Sequence, residues 1–323
     1  MLSSRKWNDG RHWRRFAALF SCSFLIICFL IHKAKGESSM LLKPEIEQNG
    51  TSIEGVLYTP NGEGSFPTVI LTHGFTGNYT YITGNIAKEL AKAGFAAYAF
   101  NLRNPDTRSM LNTSVLTEAA TLDTVIDQIK ALDCVDPEQI FLLGESQGGF
   151  VSAYVAARRE DIQALVLYYP AFVLQDDAKE RNPGWDEPGH VFQDDPSFGV
   201  SAIYARDALS FDIYEVIANY HRDVLIVHGD RDTVVPLIYS ERAVSVYDHA
   251  ELKVVKGAGH GFYSGEPFRI STQFAKDFLT MHVKPHTTEV ACFQGFSPRT
   301  AFLPYSQSSA PTMLDRQCRT QAN

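Results

Sequence analysis

The stretch that most constrains what this chain can fold into is Gly144-Glu145-Ser146-Gln147-Gly148-Gly149. It follows the apolar run Gln139-Ile-Phe-Leu-Leu143 and precedes Phe150-Val-Ser-Ala-Tyr-Val-Ala-Ala157. The first run reads as a buried strand and the second as a buried helix. A serine on the turn between them sits on strained backbone that carries its hydroxyl out past the end of the sheet. Its neighbours must be small, because adjoining backbone passes close by. The helix that begins just after it points its positive end at the same spot. Over six residues, a glycine-rich turn with a solvent-facing serine would look the same, so the rest of the chain has to discriminate.

From about residue 40 strands and helices alternate. Ile53 to Tyr58 reads as a strand, Asn61-Gly-Glu-Gly64 as a turn, and Thr68-Val-Ile-Leu-Thr72 as a strand buried on both faces. Ile82 to Ala93 has helical spacing and stops at Gly94. Phe95 to Phe100 is the next strand, and Leu116 to Leu132 an amphipathic helix. After the serine turn come the strands Ala164–Tyr168, Val224–His228 and Leu252–Val255, then a helix over Ile270–Leu279. This rhythm predicts an α/β fold with a doubly wound, mostly parallel sheet. Ligands of such sheets bind at the carboxyl ends of the strands. One stretch breaks the pattern: residues 171–217 hold Pro183, Pro188, Pro196 and many acidic residues, and read as an inserted lid.

The two ends differ from the middle. Residues 1–36 carry seven Lys/Arg and one Asp, which leaves 22 basic against 36 acidic residues in the remainder. So acidic a body repels nucleic acid, which excludes nucleic-acid binding. Arg5, Lys6, Arg11, Arg14 and Arg15 precede an uncharged apolar run from Phe16 to Ile31. That run is shorter than the ~20 residues of a membrane span and longer than a typical signal-peptide core. Both a signal cleaved near Ala34-Lys35-Gly36 and a single-pass anchor are open, and the long basic lead favours the anchor. Either would route residues beyond Lys33 into the secretory pathway, outside the cytoplasm. Asn49, Asn78 and Asn112 head Asn-x-Ser/Thr triplets, candidate glycan sites in that setting. Cys22 and Cys28 lie in the apolar run; of the other three, Cys292–Cys318 is the expected pair, leaving Cys134 free. Metal-ligand spacing is lacking, so neither a metal nor a cofactor is expected. The expected organisation is a basic and apolar segment over 1–36, a domain over 40–284 and a tail over 285–323.

Polar clusters follow four of the strands: His73-Gly-Phe-Thr-Gly77, Ser146, His228-Gly-Asp-Arg-Asp232, and Gly257-Ala-Gly-His260. A serine hydroxyl needs a base within hydrogen-bond reach, and a histidine suits neutral pH. That histidine needs a carboxylate to fix its tautomer and stabilise the imidazolium. Ser146 is therefore the candidate nucleophile, His260 the base and then acid, and Asp232 the orienting carboxylate. The backbone N–H groups of Phe75 and Gln147 are candidate oxyanion donors. Asp230 is a rival for Asp232, which the Asp-x-x-Val-Pro spacing favours; His73 and His228 are rivals for His260 but read as structural.

These motifs resemble the α/β-hydrolase superfamily over about residues 50–282, with the chain order Ser, Asp, His that the superfamily uses. Within it the chain is similar to the cinnamoyl (feruloyl) esterases, through His73-Gly-Phe, Gly77-Asn78, Ser146-Gln-Gly-Gly149, Tyr169-Pro-Ala171 and Ile213-Tyr-Glu-Val216. The resemblance implies cofactor-free hydrolysis of small or aromatic acyl esters through an acyl-enzyme, with the inserted segment as an α/β lid. Departures are Asn101-Leu-Arg-Asn-Pro-Asp106, where an Arg-Gly-His-Gly stretch is usual, and Glu145, where His is common. Two other readings share the fold: a serine aminopeptidase or acylpeptide hydrolase, and a non-catalytic binding ectodomain on a membrane stalk.

Overall fold

The computed structural model describes residues 39–103 and 110–285. Its centre is an eight-stranded sheet in the order β1-β4-β6-β5-β7-β8-β9-β10. The edge strands β1 (Ser39–Leu42) and β4 (Gly55–Pro60) pair antiparallel, and β4 meets β6 (Ala96–Phe100) antiparallel. From β6 onward, through β5 (Phe66–Thr72), β7 (Val135–Glu145), β8 (Ile162–Tyr168), β9 (Val224–Gly229) and β10 (Ala250–Val255), every pairing is parallel. A separate antiparallel pair, β2 (Ile46–Gln48) and β3 (Thr51–Ile53), turns at Asn49-Gly50, both with positive φ. The single strand expected over Ile53–Tyr58 is broken between β3 and β4.

Side chains that alternate along the central strands feed two cores. Ile70 of β5 and Leu142 of β7 face one core, with Leu122, Val125 and Ile126 of α2 (Val115–Ile129) and Phe150 and Val151 of α3 (Gln147–Ala156). Val69 and Leu71, Phe141 and Leu143 face the other, with Ile86 and Leu90 of α1 (Ile82–Lys92) and Ala275 and Leu279 of α8 (Gly265–Met281). Helices on both faces explain why these strands read as unbroken apolar runs. The chain leaves β5 toward β6 on one side and returns to β7 on the other. The carboxyl ends of β5 and β7 therefore flank the topological switch point, where open α/β sheets hold their ligands.

The insertion between β8 and β9 is built from α4 (Leu174–Arg181), α5 (Ala202–Ala208) and α6 (Ile213–Ile217), with one isolated bridge between Asp195 and Val200. The α/β lid implied by resemblance is thus mainly helical here. A further helix, α7 (Ile238–Val246), lies between β9 and β10.

The expected single-pass anchor outside the cytoplasm is corrected. No described helix is long and apolar enough to cross a membrane; the longest, α8, alternates buried Ser271, Thr272, Ala275, Phe278 and Leu279 with exposed positions and packs on the sheet. The Phe16–Ile31 run, the residues beyond 285 and the Cys292–Cys318 pairing lie outside the described residues. Cys134 is a free thiol.

Candidate active site

Ser146 is the residue between β7 and α3, and its backbone is held at φ 53°, ψ −119°. An L side chain rarely adopts that conformation, and the surroundings enforce it. Its N–H donates to Tyr168 O on β8 at 2.9 Å, and its carbonyl accepts from Phe150 N at 3.1 Å and Ala171 N at 2.9 Å. The turn closes only because its flanks lack side chains. A Cβ on Gly148 would lie 2.5 Å from both Thr72 O and His73 O, and one on Gly144 would lie 2.4 Å from Gly148 O.

The other two residues reach Ser146 from the ends of β9 and β10. His260 Nε2 lies 3.0 Å from Ser146 Oγ, and its Nδ1 lies 2.8 Å from Asp232 Oδ2. A carboxylate oxygen can only accept, so Nδ1 donates to Asp232 and Nε2 faces the serine hydroxyl as an acceptor. Asp232 is itself fixed: Oδ1 accepts the N–H groups of Val234 (2.9 Å) and Val235 (2.8 Å). Burial pushes its carboxyl up, but hydrogen bonds from His228 and His260 and from Val235 N–H outweigh this and hold it well below the usual carboxylate range.

The rivals fall elsewhere. Asp230 turns away and accepts Gly257 N–H through Oδ1, bracing the loop that carries His260. His228 is buried beneath Asp232, with Nε2 3.3 Å from Asp232 Oδ2 and 2.9 Å from Val235 O, and Nδ1 2.7 Å from Ser240 Oγ. Two acceptors at Nε2 put its proton there, so Nδ1 accepts from Ser240. This support of the carboxylate is absent from the sequence reading, which has His228 only as a structural histidine. His73 Nδ1 donates to Gly74 O at 2.8 Å, and its Nε2 accepts Leu102 N–H at 3.1 Å. Burial, set against the Gly74 bond and reinforced by the charge of Arg103, lowers its pKa to about 4. His73 is thus a neutral tie between the β5 loop and the residues after β6.

The Gly74-Phe75 loop lies directly against the serine, since a Cβ on Gly74 would meet Ser146 Cβ at 3.1 Å. A turn closed by Gly77 N–H to Gly74 O at 3.0 Å, with Thr76 at φ 61°, shapes it. Gln147 is the first residue of α3, so its N–H has no partner within the helix and faces the serine end. Behind the loop, Glu145 is buried; its Oε2 accepts the Tyr169 hydroxyl at 2.9 Å. Tyr169 presents its ring edge-on to His260, with centroids 4.7 Å apart. Glu145, which also accepts the Gly74 N–H, and Tyr169 thereby link the Gly74-Phe75 loop to the loop that carries His260.

The family described as alpha/beta hydrolase fold matches residues 67–195. An uncharacterized protein of Mycobacterium tuberculosis is 27% identical over 240 residues, 72% of this chain and 76% of its own length. Among solved structures, Est1E from Butyrivibrio proteoclasticus superposes with a TM-score of 0.65 at 24% identity, covering 74% of this chain and 98% of its own. Est1E is also known with ferulic acid bound. A monoacylglycerol lipase from Paleococcus ferrophilus superposes with a TM-score of 0.55 at 20% identity, covering 72% of this chain and 100% of its own. The sheet order, the insertion after β8 and the matched residues agree, and the chain has the α/β-hydrolase fold.

Proposed function

We propose that the protein is a serine hydrolase acting on carboxylic esters, with Ser146 as nucleophile, His260 as base and acid, and Asp232 as the orienting carboxylate. The observation that carries this reading is the unbroken run Ser146 Oγ, His260 Nε2 and Nδ1, Asp232 Oδ2, with contacts of 3.0 and 2.8 Å. Its supporting frame is the strained serine backbone, which such a nucleophile requires.

In this mechanism Oγ attacks the ester carbonyl as Nε2 takes its proton. The carbonyl oxygen gains the charge and is held by the N–H groups of Phe75 and Gln147. Collapse of the tetrahedral species expels the alcohol, which leaves with the proton from His260. Water then attacks the acyl-serine with His260 again as base, releasing the acid and restoring Ser146.

Small or aromatic acyl groups are the proposed substrates. An aromatic wall beside the site supports this: the Phe75 ring stacks on Phe198 at 4.8 Å and meets Tyr204 edge-on at 5.9 Å. The ferulic acid complex of Est1E is in keeping with it. An amine-binding peptidase site gains less support, because lid acids are engaged locally: Asp176 with Lys179, Asp195 with Arg181, and Asp207 with Arg206. The test is a panel of methyl ferulate, short and long p-nitrophenyl esters and amino-acyl amides, run on wild type and Ser146→Ala. Ester turnover that vanishes in the variant is expected; equal turnover by the two would remove the assignment.

A further inference from the structure

Both proposed oxyanion donors are clamped by the segment inserted between β8 and β9. The Gln147 side chain is buried, and its amide nitrogen donates to Glu118 Oε2 at 2.6 Å. Its amide oxygen accepts the hydroxyl of Tyr204, which stands on α5 of the insertion. Tyr204 is itself buried, and its ring meets the ring of Phe75 edge-on. Phe198, from the loop before α5, lies flat on that same Phe75 ring with an interplanar angle of 2°. One tyrosine therefore touches the side chains of both residues whose N–H groups would stabilise the oxyanion.

The other side of the clamp is charged. Glu118 on α2 receives Arg103 Nη1 on Oε1 at 2.7 Å, and the Arg103 guanidinium stands 5.0 Å from the Phe75 ring centroid. Burial pushes the Glu118 carboxyl up, and the Arg103 charge with the bonds from Gln147 and Arg103 offsets only part of that. The insertion is also pinned from α5: Asp207 Oδ2 accepts the hydroxyl of Ser114, the residue that caps α2, at 2.5 Å.

We propose that Tyr204 and Phe198 are positioning residues, through which the inserted segment sets the oxyanion hole. The insertion then does more than cover the substrate: it completes the geometry that stabilises the tetrahedral species. The inference rests on the serine-hydrolase reading above. Its physical basis is that oxyanion donors act only when aimed at where the charge develops. A small misplacement of a backbone N–H costs rate without costing substrate binding. Tyr204→Phe removes a single hydroxyl and keeps the ring. Phe198→Ala removes a ring that is 39% exposed and stands on a loop rather than in the sheet core.

The experiment compares wild type, Tyr204→Phe and Phe198→Ala for kcat and KM on p-nitrophenyl acetate and for affinity toward phenylboronic acid. Boronates add to a serine hydroxyl and mimic the tetrahedral species. Thermal unfolding of each variant is measured alongside. The expected result is a fall of about tenfold in kcat and a matching fall in boronate affinity, with KM within about twofold. Unchanged kcat and boronate affinity in both folded variants overturns the proposal. So does a rise in KM alone, which would make these residues part of the substrate pocket only. Reaction of wild type, but not Ser146→Ala, with a fluorophosphonate keeps the two claims apart. If wild type is unreactive, the serine-hydrolase reading itself fails; if it reacts and the variants match it, only the clamp fails.

Discussion

Glu145 offers a quantitative test of the site through pH. It is buried behind Ser146, and burial, partly offset by the Tyr169 hydroxyl and the Gly74 N–H, raises its carboxyl from an ordinary 4.5 to about 7. Tyr168 at the end of β8 and Tyr169 just beyond it both feel its charge, and the Tyr169 ring meets His260 edge-on. Because the folded value is raised, the native state is favoured at low pH, where the carboxyl is neutral whether folded or not. That advantage is lost as pH climbs from about 4.5 through about 7. At ~1.4 kcal/mol per unit, the loss is about 3 kcal/mol. Glu145→Gln keeps the shape and an oxygen for Tyr169 but cannot ionise. Urea unfolding of both proteins at matched pH cancels every other titration. Wild type should lose about 3 kcal/mol relative to the variant between pH 4.5 and pH 8, most of it before pH 7. A difference that stays flat across that range would refute the burial argument for Glu145.

Other predictions follow from the same frame. Gly148→Ala places a Cβ 2.5 Å from two backbone oxygens of the β5 end; since backbone cannot swing aside, thermal unfolding should show a loss of about 3 kcal/mol or more. An unchanged melting temperature would mean that α3 and β5 are not so closely apposed. Asp232→Asn should lower kcat by about 10⁴ on an activated ester while leaving the fold intact. A loss below about tenfold would shift the orienting role to another group.

Much of this architecture can be read from residues alone, and the exceptions have physical causes. Strands β5 to β9 are covered by helices on both faces, so they appear as continuous apolar runs. The edge strand β1 is mostly half-exposed, and its pattern carries no such signal. The β2–β3 pair has three-residue strands, too short for periodicity, although Asn49-Gly50 marks its turn. Helix α7 buries only Ser240 and Ala243, which leaves no apolar stripe to detect. At the site, motifs at strand ends point to Ser146, Asp232 and His260, because local backbone chemistry dictates them. Two supporting pairs are invisible by spacing because they span long separations, Tyr169 on Glu145 and Tyr204 on Gln147; His228 is only four residues from Asp232, and its contact depends on how the turn after β9 folds back. Two departures from the cinnamoyl-esterase pattern find their meaning only in three dimensions. Leu102 and Arg103 hold His73 and Glu118, and Glu145 anchors Tyr169.

The measurement that bears most directly on the account is covalent labelling by a fluorophosphonate, followed by peptide mass spectrometry. One adduct on Ser146, abolished in His260→Ala, is what the 3.0 Å contact between Nε2 and Oγ predicts. Absence of an adduct on Ser146 in folded protein, or a labelling rate indifferent to loss of His260, would contradict it.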